Sequence, residues 1–200
     1  MQKNWQIVKE ETAYSGFYTL FNYSLQHELF SGGQGAPIER EVLHKGRAAA
    51  VIPYDPVLDS TLLIEQFRAG AIRDDDSPWL LECIAGMVEE GESEEALVRR
   101  EAKEEAGIDI DEVHHLTTYY PSPGGSTETI AIYWALTDLS KAGGVYGLPA
   151  EGEDIRAFVI KFDEALELVK SGRINNSLGI ISMLWFDTIR HKIQRDSTVL

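Results

Sequence analysis

The stretch GMVEEGESEEALVRREAKEEAGI, residues 86–108, decides the fold of this chain. Ser93 precedes glutamates and apolar residues at helical spacing, and Gly107 follows the last of them. Serine is a favoured N-cap and glycine a favoured residue just past a helix end, so the pattern predicts a helix over Ser93–Ala106. Val98, Ala102 and Ala106 share one side of this helix and can face a core.

The arc of this predicted helix next to the apolar one is strongly acidic. Residues 86–108 hold eight glutamates and three basic residues, a local net charge of −5 out of −15 for the whole chain. Glu101, Glu104 and Glu105 fall within an arc of about 100° on a helical wheel. Such carboxylates raise each other's pKa unless a cation lies between them, and oxygen-only ligands favour Mg²⁺ or Mn²⁺. The alternative is a solvated acidic face, which most glutamate-rich helices have.

The spacing favours the metal site over the solvated face. The stretch fits Gly-x5-Glu-x7-Arg-Glu-U-x-Glu-Glu-x-Gly-U, where U is apolar, and so resembles the Nudix box. The nine matching positions are Gly86, Glu92, Arg100, Glu101, Ala102, Glu104, Glu105, Gly107 and Ile108. The resemblance implies an α+β fold, a Nudix α/β/α sandwich, and Mg²⁺-dependent hydrolysis of a nucleoside diphosphate linked to another group.

The same resemblance implies roles for the residues of the box. Glu101, Glu105 and the backbone carbonyl of Ala85 would bind metal. Glu104, also placed among the catalytic residues, would either bind the metal or contact a residue that does. Arg100 and Glu92 would orient the glutamates through a salt bridge. Tight backbone turns would need the glycines Gly86 and Gly107.

A second motif narrows the branch of the family. Ser122-Pro123-Gly124-Gly125-Ser126-Thr127-Glu128 follows the box, with Pro123 sixteen residues past Gly107. A proline at this offset resembles the ADP-ribose pyrophosphatase branch, in which the residue matching Glu128 contacts the terminal ribose. Trp79-Leu80-Leu81-Glu82 and Gly147-Leu148 also resemble this branch.

An acidic loop and two arginines complete the predicted site. In the resembled branch the residue matching Glu151 is the catalytic base and the one matching Glu153 a metal ligand, although which of the two takes the proton stays open. Arginines match at Arg40 and Arg68, and a guanidinium fork suits the oxygens of a diphosphate. Without the family, surface salt bridges explain either arginine equally well.

Residues 1–45 are predicted to form a small β-sheet region, and residues 46–200 the Nudix domain. The resemblance implies that the N-terminal sheet exchanges between the subunits of a homodimer. Phe17 and Tyr18 are candidate contacts for adenine, and the alternative is that they are ordinary core aromatics.

Composition excludes several classes of partner. A pI near 4.7 argues against binding to nucleic acid or to an anionic membrane, since both require a basic face. No apolar run is long enough to span a bilayer, the N-terminus does not resemble a signal peptide, and Cys83 is the only cysteine, so we expect a cytoplasmic protein. Asp74–Asp76 is predicted to be an exposed loop.

Three functions follow from these observations. The first is Mg²⁺-dependent hydrolysis of ADP-ribose, a small-molecule substrate, to AMP and ribose 5-phosphate. The second is the same chemistry on another nucleoside diphosphate sugar, such as a GDP-hexose. The third is a sensor that binds a nucleotide sugar without cleaving it, which the complete set of box glutamates disfavours.

Overall fold

A computed structural model describes residues 3–73 and 77–197, so the loop predicted at Asp74–Asp76 lies outside the described residues. The strands in the described part are β1 (Trp5–Ser15), β2 (Thr19–His27), β3 (Ile38–His44), β4 (Arg47–Asp55), β5 (Ser60–Phe67), β6 (Trp79–Glu82), β7 (Ile84–Met87), β8 (His114–Tyr119), β9 (Thr129–Leu136), β10 (Gly144–Tyr146) and β11 (Ile155–Lys161). The helices are α1 (Glu94–Ala106), α2 (Phe162–Lys170) and α3 (Ser177–Ser197), with short 3₁₀ turns at Ala69–Ala71 and Pro149–Glu151. None of the described helices is long and apolar enough to cross a membrane.

The chain divides into two compact units. The first contains the described residues up to Arg47 together with Tyr120–Thr129, and the second contains Ala48–Tyr119 and the described residues from Ile130 onward. The segment that carries Glu128 therefore belongs with the N-terminal residues. The domain boundary between residues 45 and 46 stays a prediction.

An antiparallel sheet in the order β1-β2-β3 forms most of the first unit. Strand β2 begins at Thr19, so Phe17 and Tyr18 lie in the bend between β1 and β2. Phe17 is 88% exposed, so the core alternative is wrong for this residue.

The second unit contains a mixed sheet with helices on both faces. Its strands follow the order β10-β11-β5-β4-β9-β8, while β6 pairs with β5 and β7 with β4. Adjacent residues of a strand point to opposite faces, and accordingly Leu62 and Ile64 belong to one core cluster while Leu63 belongs to the other. A sheet buried on both faces explains why its strands are continuous apolar runs rather than alternating ones.

Each core cluster is completed by helices. Leu97, Val98, Ala102 and Ala106 of α1 pack into one cluster. Residues of α2 and α3, among them Phe162, Ala165, Met183 and Phe186, fill the other. The predicted α+β class and the α/β/α sandwich are confirmed. Helix α1 packs into the core through its apolar face.

Candidate active site

The ends of α1 are set by the residues that the sequence indicated. Oγ of Ser93 accepts a hydrogen bond from the backbone N–H of Ala96 at 3.1 Å, which satisfies one of the free donors at the helix start. Gly107 has φ 65°, in the left-handed region, and its N–H donates to the carbonyl of Lys103. The predicted caps are confirmed. They set the ends of α1, and Glu101, Glu104 and Glu105 therefore lie in its C-terminal half.

Two glutamates of α1 are strongly perturbed by their surroundings. Glu105 is only 3% exposed, and burial, together with the nearby charges of Glu101 and Glu153, raises its pKa to about 8. Burial likewise raises the pKa of Glu101 to about 7, against the opposing charge of Arg100. Burial disfavours the charged form of an acid, so two adjacent buried carboxyls are costly to ionise without a cation.

Strand β7 lies directly against these glutamates. The backbone N–H of Ala85 donates to Oε2 of Glu105 at 3.0 Å. A Cβ added at Gly86 would lie 1.9 Å from Oε1 of Glu101, so any larger residue there would force that carboxylate to move. The backbone around the predicted carbonyl ligand is therefore part of the same cluster as the two glutamates.

Arg100 joins the acidic residues of the box. Its Nη1 lies 2.9 Å from Oε1 of Glu101 and 2.9 Å from Oε2 of Glu104, and its Nε lies 3.1 Å from Oε1 of Glu92. These contacts raise the pKa of Arg100 and lower that of Glu92. The contacts fit the orienting role that the resemblance implies for this arginine.

The acidic loop before β11 is tied to α1 through its backbone. The N–H of Gly147 donates to the carbonyl of Glu104 at 3.2 Å, and the N–H of Leu148 donates to Oε2 of Glu153 at 3.0 Å. The charge of Glu153 acts on both buried glutamates of α1. Glu151 ends the 3₁₀ turn of this loop and is exposed, so its carboxylate is accessible to water.

Arg68 also belongs to this part of the molecule, where it is held by Glu82, and Glu82 is in turn supported by Gln66. Its Nε donates to Oε2 of Glu82 at 2.8 Å, and Nε2 of Gln66 donates to the same oxygen at 3.2 Å. The charge of Arg68 lowers the pKa of Glu105 against the larger effect of burial. The sequence does contain a signal for this contact, because Gln66 and Glu82 are polar residues in strands that contain apolar runs. Buried polar side chains need hydrogen-bond partners.

The other predicted substrate residues lie in the first unit. Nζ of Lys45 donates to Oε1 of Glu128 at 2.7 Å and lies 5.6 Å from the ring centroid of Tyr18. Lys45 therefore brings together two predicted contact residues, although no pattern in the sequence indicated it. Arg40 is exposed on β3, and its Nη1 donates to the carbonyl of Glu39 at 2.7 Å.

The match to a known family decides what this cluster is. A profile of the NUDIX domain matches residues 44–177. The chain belongs to the Nudix family.

Curated Nudix relatives agree with the predicted branch. The chain is 42% identical over 197 residues to the ADP-ribose pyrophosphatase of Haemophilus influenzae, a match that covers 97% of this chain and 91% of that protein. It is 41% identical over 180 residues to the ADP-ribose pyrophosphatase of Escherichia coli (strain K12), covering 90% of this chain and 86% of that protein. The predicted resemblance is confirmed.

Two further proteins resemble this Nudix chain less closely. It is 31% identical over 192 residues to the GDP-mannose pyrophosphatase of Escherichia coli (strain SMS-3-5), covering 94% of this chain and 97% of that protein. A crystal structure described as an ADP compounds hydrolase shares its fold with a TM-score of 0.70 and 20% identity, covering 96% of this chain and 97% of the other.

The side chains of the Nudix box fit a divalent cation by their chemistry. Glu101 and Glu105 present largely buried carboxylate oxygens, and burial raises the pKa of both, so a cation beside them would favour their charged forms. In the conformation described for residues 3–73 and 77–197, no three His, Cys, Asp or Glu side chains are arranged to hold a metal ion. Glu101 is instead paired with Arg100, and Glu153 accepts a backbone N–H. A bound cation would replace these contacts.

Proposed function

We propose that this hydrolase cleaves the diphosphate of ADP-ribose to give AMP and ribose 5-phosphate. Water adds to one phosphorus atom, and the bond from that phosphorus to the bridging oxygen breaks. The observation that carries the proposal is the 42% identity to an ADP-ribose pyrophosphatase across 97% of the chain. The buried glutamate cluster of the box supports it, because hydrolysis of an anionic diphosphate needs charge neutralisation.

We propose Mg²⁺ as the cofactor, with Mn²⁺ as a substitute. Glu101, Glu105, Glu153 and the carbonyl of Ala85 would hold it. When bound, such a cation activates water and neutralises charge on the diphosphate. Burial of Glu105 supports this set, since an uncompensated carboxylate there would otherwise favour its protonated form.

The remaining roles are assigned from the resemblance together with local contacts. Glu151 takes the proton of the attacking water, which its exposed place at the end of a 3₁₀ turn permits. Arg100, bound to Glu92, holds Glu101 and Glu104 in place. Arg68 and Arg40 bind phosphate oxygens, Glu128 binds the terminal ribose, and the adenine stacks on Phe17 and Tyr18.

GDP-hexose hydrolysis is the second candidate function. The 31% identity to a GDP-mannose pyrophosphatase, over 94% of this chain, is the observation that favours it. The reacting diphosphate is the same in both substrates, so the two candidates differ in what binds the base and the sugar. The sensor alternative has no comparable support, because a sensor has no need for the buried glutamates.

A substrate panel tests these functions. Purified protein is incubated with ADP-ribose, GDP-mannose and UDP-glucose, with and without Mg²⁺, and nucleoside monophosphate release is measured. We expect the highest kcat/KM for ADP-ribose and no turnover in EDTA. Preferred cleavage of GDP-mannose would establish the second candidate. Tight binding of ADP-ribose in excess Mg²⁺ without AMP release would establish the sensor.

We also propose a homodimer and a cytoplasmic location. The first unit exposes several large apolar side chains, which a second copy would cover: Trp5, Ile7, Val8, Tyr14 and Phe17. Light scattering on the full chain should give twice the mass of 22.4 kDa. A monomer at micromolar concentration would contradict the dimer without affecting the proposed reaction.

A further inference from the structure

A buried carboxylate outside the Nudix box holds Arg68 by its inner nitrogen. Glu82 is 8% exposed, and its Oε2 accepts hydrogen bonds from Nε of Arg68 and from Nε2 of Gln66, which is 7% exposed. The side chain of Arg68 is 45% exposed. The contact therefore fixes the inner part of the guanidinium, while its outer part reaches solvent.

This contact is built on paired backbone. Gln66 lies opposite Leu80 and Ile64 opposite Glu82 in the antiparallel pair of β5 and β6. The N–H of Arg68 donates to the carbonyl of Pro78 at 2.8 Å just beyond the paired region. Side chains on regular strands are held more accurately than side chains on loops. Glu82 is therefore a fixed acceptor for Arg68.

Arg68 is attracted by two carboxylates. Besides its hydrogen bond to Glu82, its charge acts on Glu105 of the Nudix box. Without Glu82, the attraction of Glu105 would draw the guanidinium of Arg68 toward it. Arg68 would then pair with a carboxylate that is proposed to bind the metal ion. The hydrogen-bonded attraction of Glu82 opposes that movement.

We infer that Glu82, assisted by Gln66, is a positioning residue that holds Nε of Arg68 so that its two terminal nitrogens bind the diphosphate. This inference rests on the proposed function, in which Arg68 contacts phosphate. Within residues 3–73 and 77–197 the terminal nitrogens of Arg68 donate to no carboxylate. A guanidinium held at Nε keeps one N–H of Nη1 and one of Nη2 parallel on its outer edge, which suits two phosphate oxygens.

Substitution of Glu82 tests the inference by steady-state kinetics. Glu82→Ala should raise KM for ADP-ribose roughly tenfold or more, the size expected for a lost charge-assisted hydrogen bond, with a smaller effect on kcat. Glu82→Gln keeps an acceptor for Nε and should raise KM by less. Glu82→Ala removes the acceptor for Gln66 and could therefore destabilise the fold, so thermal unfolding of each variant is measured. If the alanine variant does not fold, Glu82→Gln alone still tests the inference.

A double-substitution cycle separates positioning from a general structural role. If Glu82 acts through Arg68, then Arg68→Ala with Glu82→Gln should have the same kcat/KM as Arg68→Ala alone. Multiplying losses in the double variant would overturn the inference. So would an unchanged KM in both Glu82 variants.

Glu65 provides the matched control. It lies on β5 close to Gln66, its side chain is 17% exposed, and it pairs with Arg156 and Arg173. Glu65→Gln also removes the charge of a largely buried carboxylate, but it should leave KM within about twofold of wild type. A KM increase equal to that of Glu82→Gln would attribute both effects to general loosening and overturn the inference.

Binding of inorganic pyrophosphate distinguishes failure of the inference from failure of the proposed function. Calorimetry in Mg²⁺ measures its affinity for wild type, for Glu82→Gln, for Arg68→Ala and for the double variant. If wild type cleaves no nucleotide sugar, the proposed function fails, and non-additive losses of pyrophosphate affinity would still support the role of Glu82. Unchanged pyrophosphate affinity in Glu82→Gln and Glu82→Ala would overturn it.

Discussion

Gly86 leaves space that the carboxylate of Glu101 occupies. A methyl group at Gly86 would lie 1.9 Å from Oε1 and 2.5 Å from Cδ of Glu101, so the carboxylate would have to move. We predict that Gly86→Ala lowers kcat/KM roughly tenfold or more and raises the Mg²⁺ concentration for half-maximal activity, as expected when a metal ligand is displaced. Mg²⁺ titrations of the initial rate measure both effects.

Gly124 provides the control for this substitution. A Cβ there meets nothing within 4 Å, and its φ lies outside the left-handed region. Gly124→Ala should therefore leave the Mg²⁺ dependence unchanged. Normal Mg²⁺ dependence in Gly86→Ala would show that Glu101 can adjust without loss, and it would remove the steric reason for glycine at this position.

At the scale of the element, α1 depends on its N-cap. Ser93 satisfies the N–H of Ala96, so Ser93→Ala should lower the free energy of unfolding by about 1 kcal/mol. For a domain of this size that corresponds to a fall of about 2–4 °C in Tm. Calorimetric unfolding measures it, and Ser93→Asp, which keeps a capping oxygen, should restore most of the stability. A Tm in Ser93→Ala equal to that of wild type would contradict the cap's contribution.

Local signals predicted α1 well because its start and end are determined by neighbouring residues. The run Trp79–Ile84 was less predictable. It is one apolar run in the sequence, yet it contains the whole of β6 and the start of β7, which pair with different partners, β5 and β4. Such a change of partner depends on pairing between distant strands, and the spacing of apolar residues in the sequence does not indicate which strands will pair. The short strand β10, which Gly143 precedes and Gly147 follows, was not predicted for the same reason.

At the scale of the whole molecule, contacts within each unit join segments that lie far apart in the chain. The box was predictable because its residues share one helix and the adjoining strand. The contact between Arg68 and Glu82 was not, because it joins strands β5 and β6 through side chains. The pairing of Lys45 with Glu128 spans 83 positions and was equally inaccessible to local patterns.

The buried carboxyls also make the stability of the metal-free protein depend on pH. Burial raises the pKa of Glu101 to about 7 and that of Glu105 to about 8, whereas an unfolded glutamate has a pKa of about 4.3. Between these values the folded state binds more protons than the unfolded state, so stability falls as pH rises. We predict that unfolding free energy in EDTA decreases from pH 5 to pH 8, by at most about 1.4 kcal/mol per pH unit for each carboxyl.

Urea unfolding at several pH values in EDTA measures this dependence, and Glu105→Gln is the variant that isolates it. Glutamine does not titrate, so the variant should show a flatter dependence than wild type and should be the more stable of the two at pH 8. Mg²⁺ should stabilise wild type more at pH 8 than at pH 5, because the carboxyls are ionised to a greater extent at pH 8 and a cation binds the folded state alone. Parallel pH profiles for wild type and Glu105→Gln would show that Glu105 has an ordinary pKa, and the argument that its burial creates a demand for a cation would then fail.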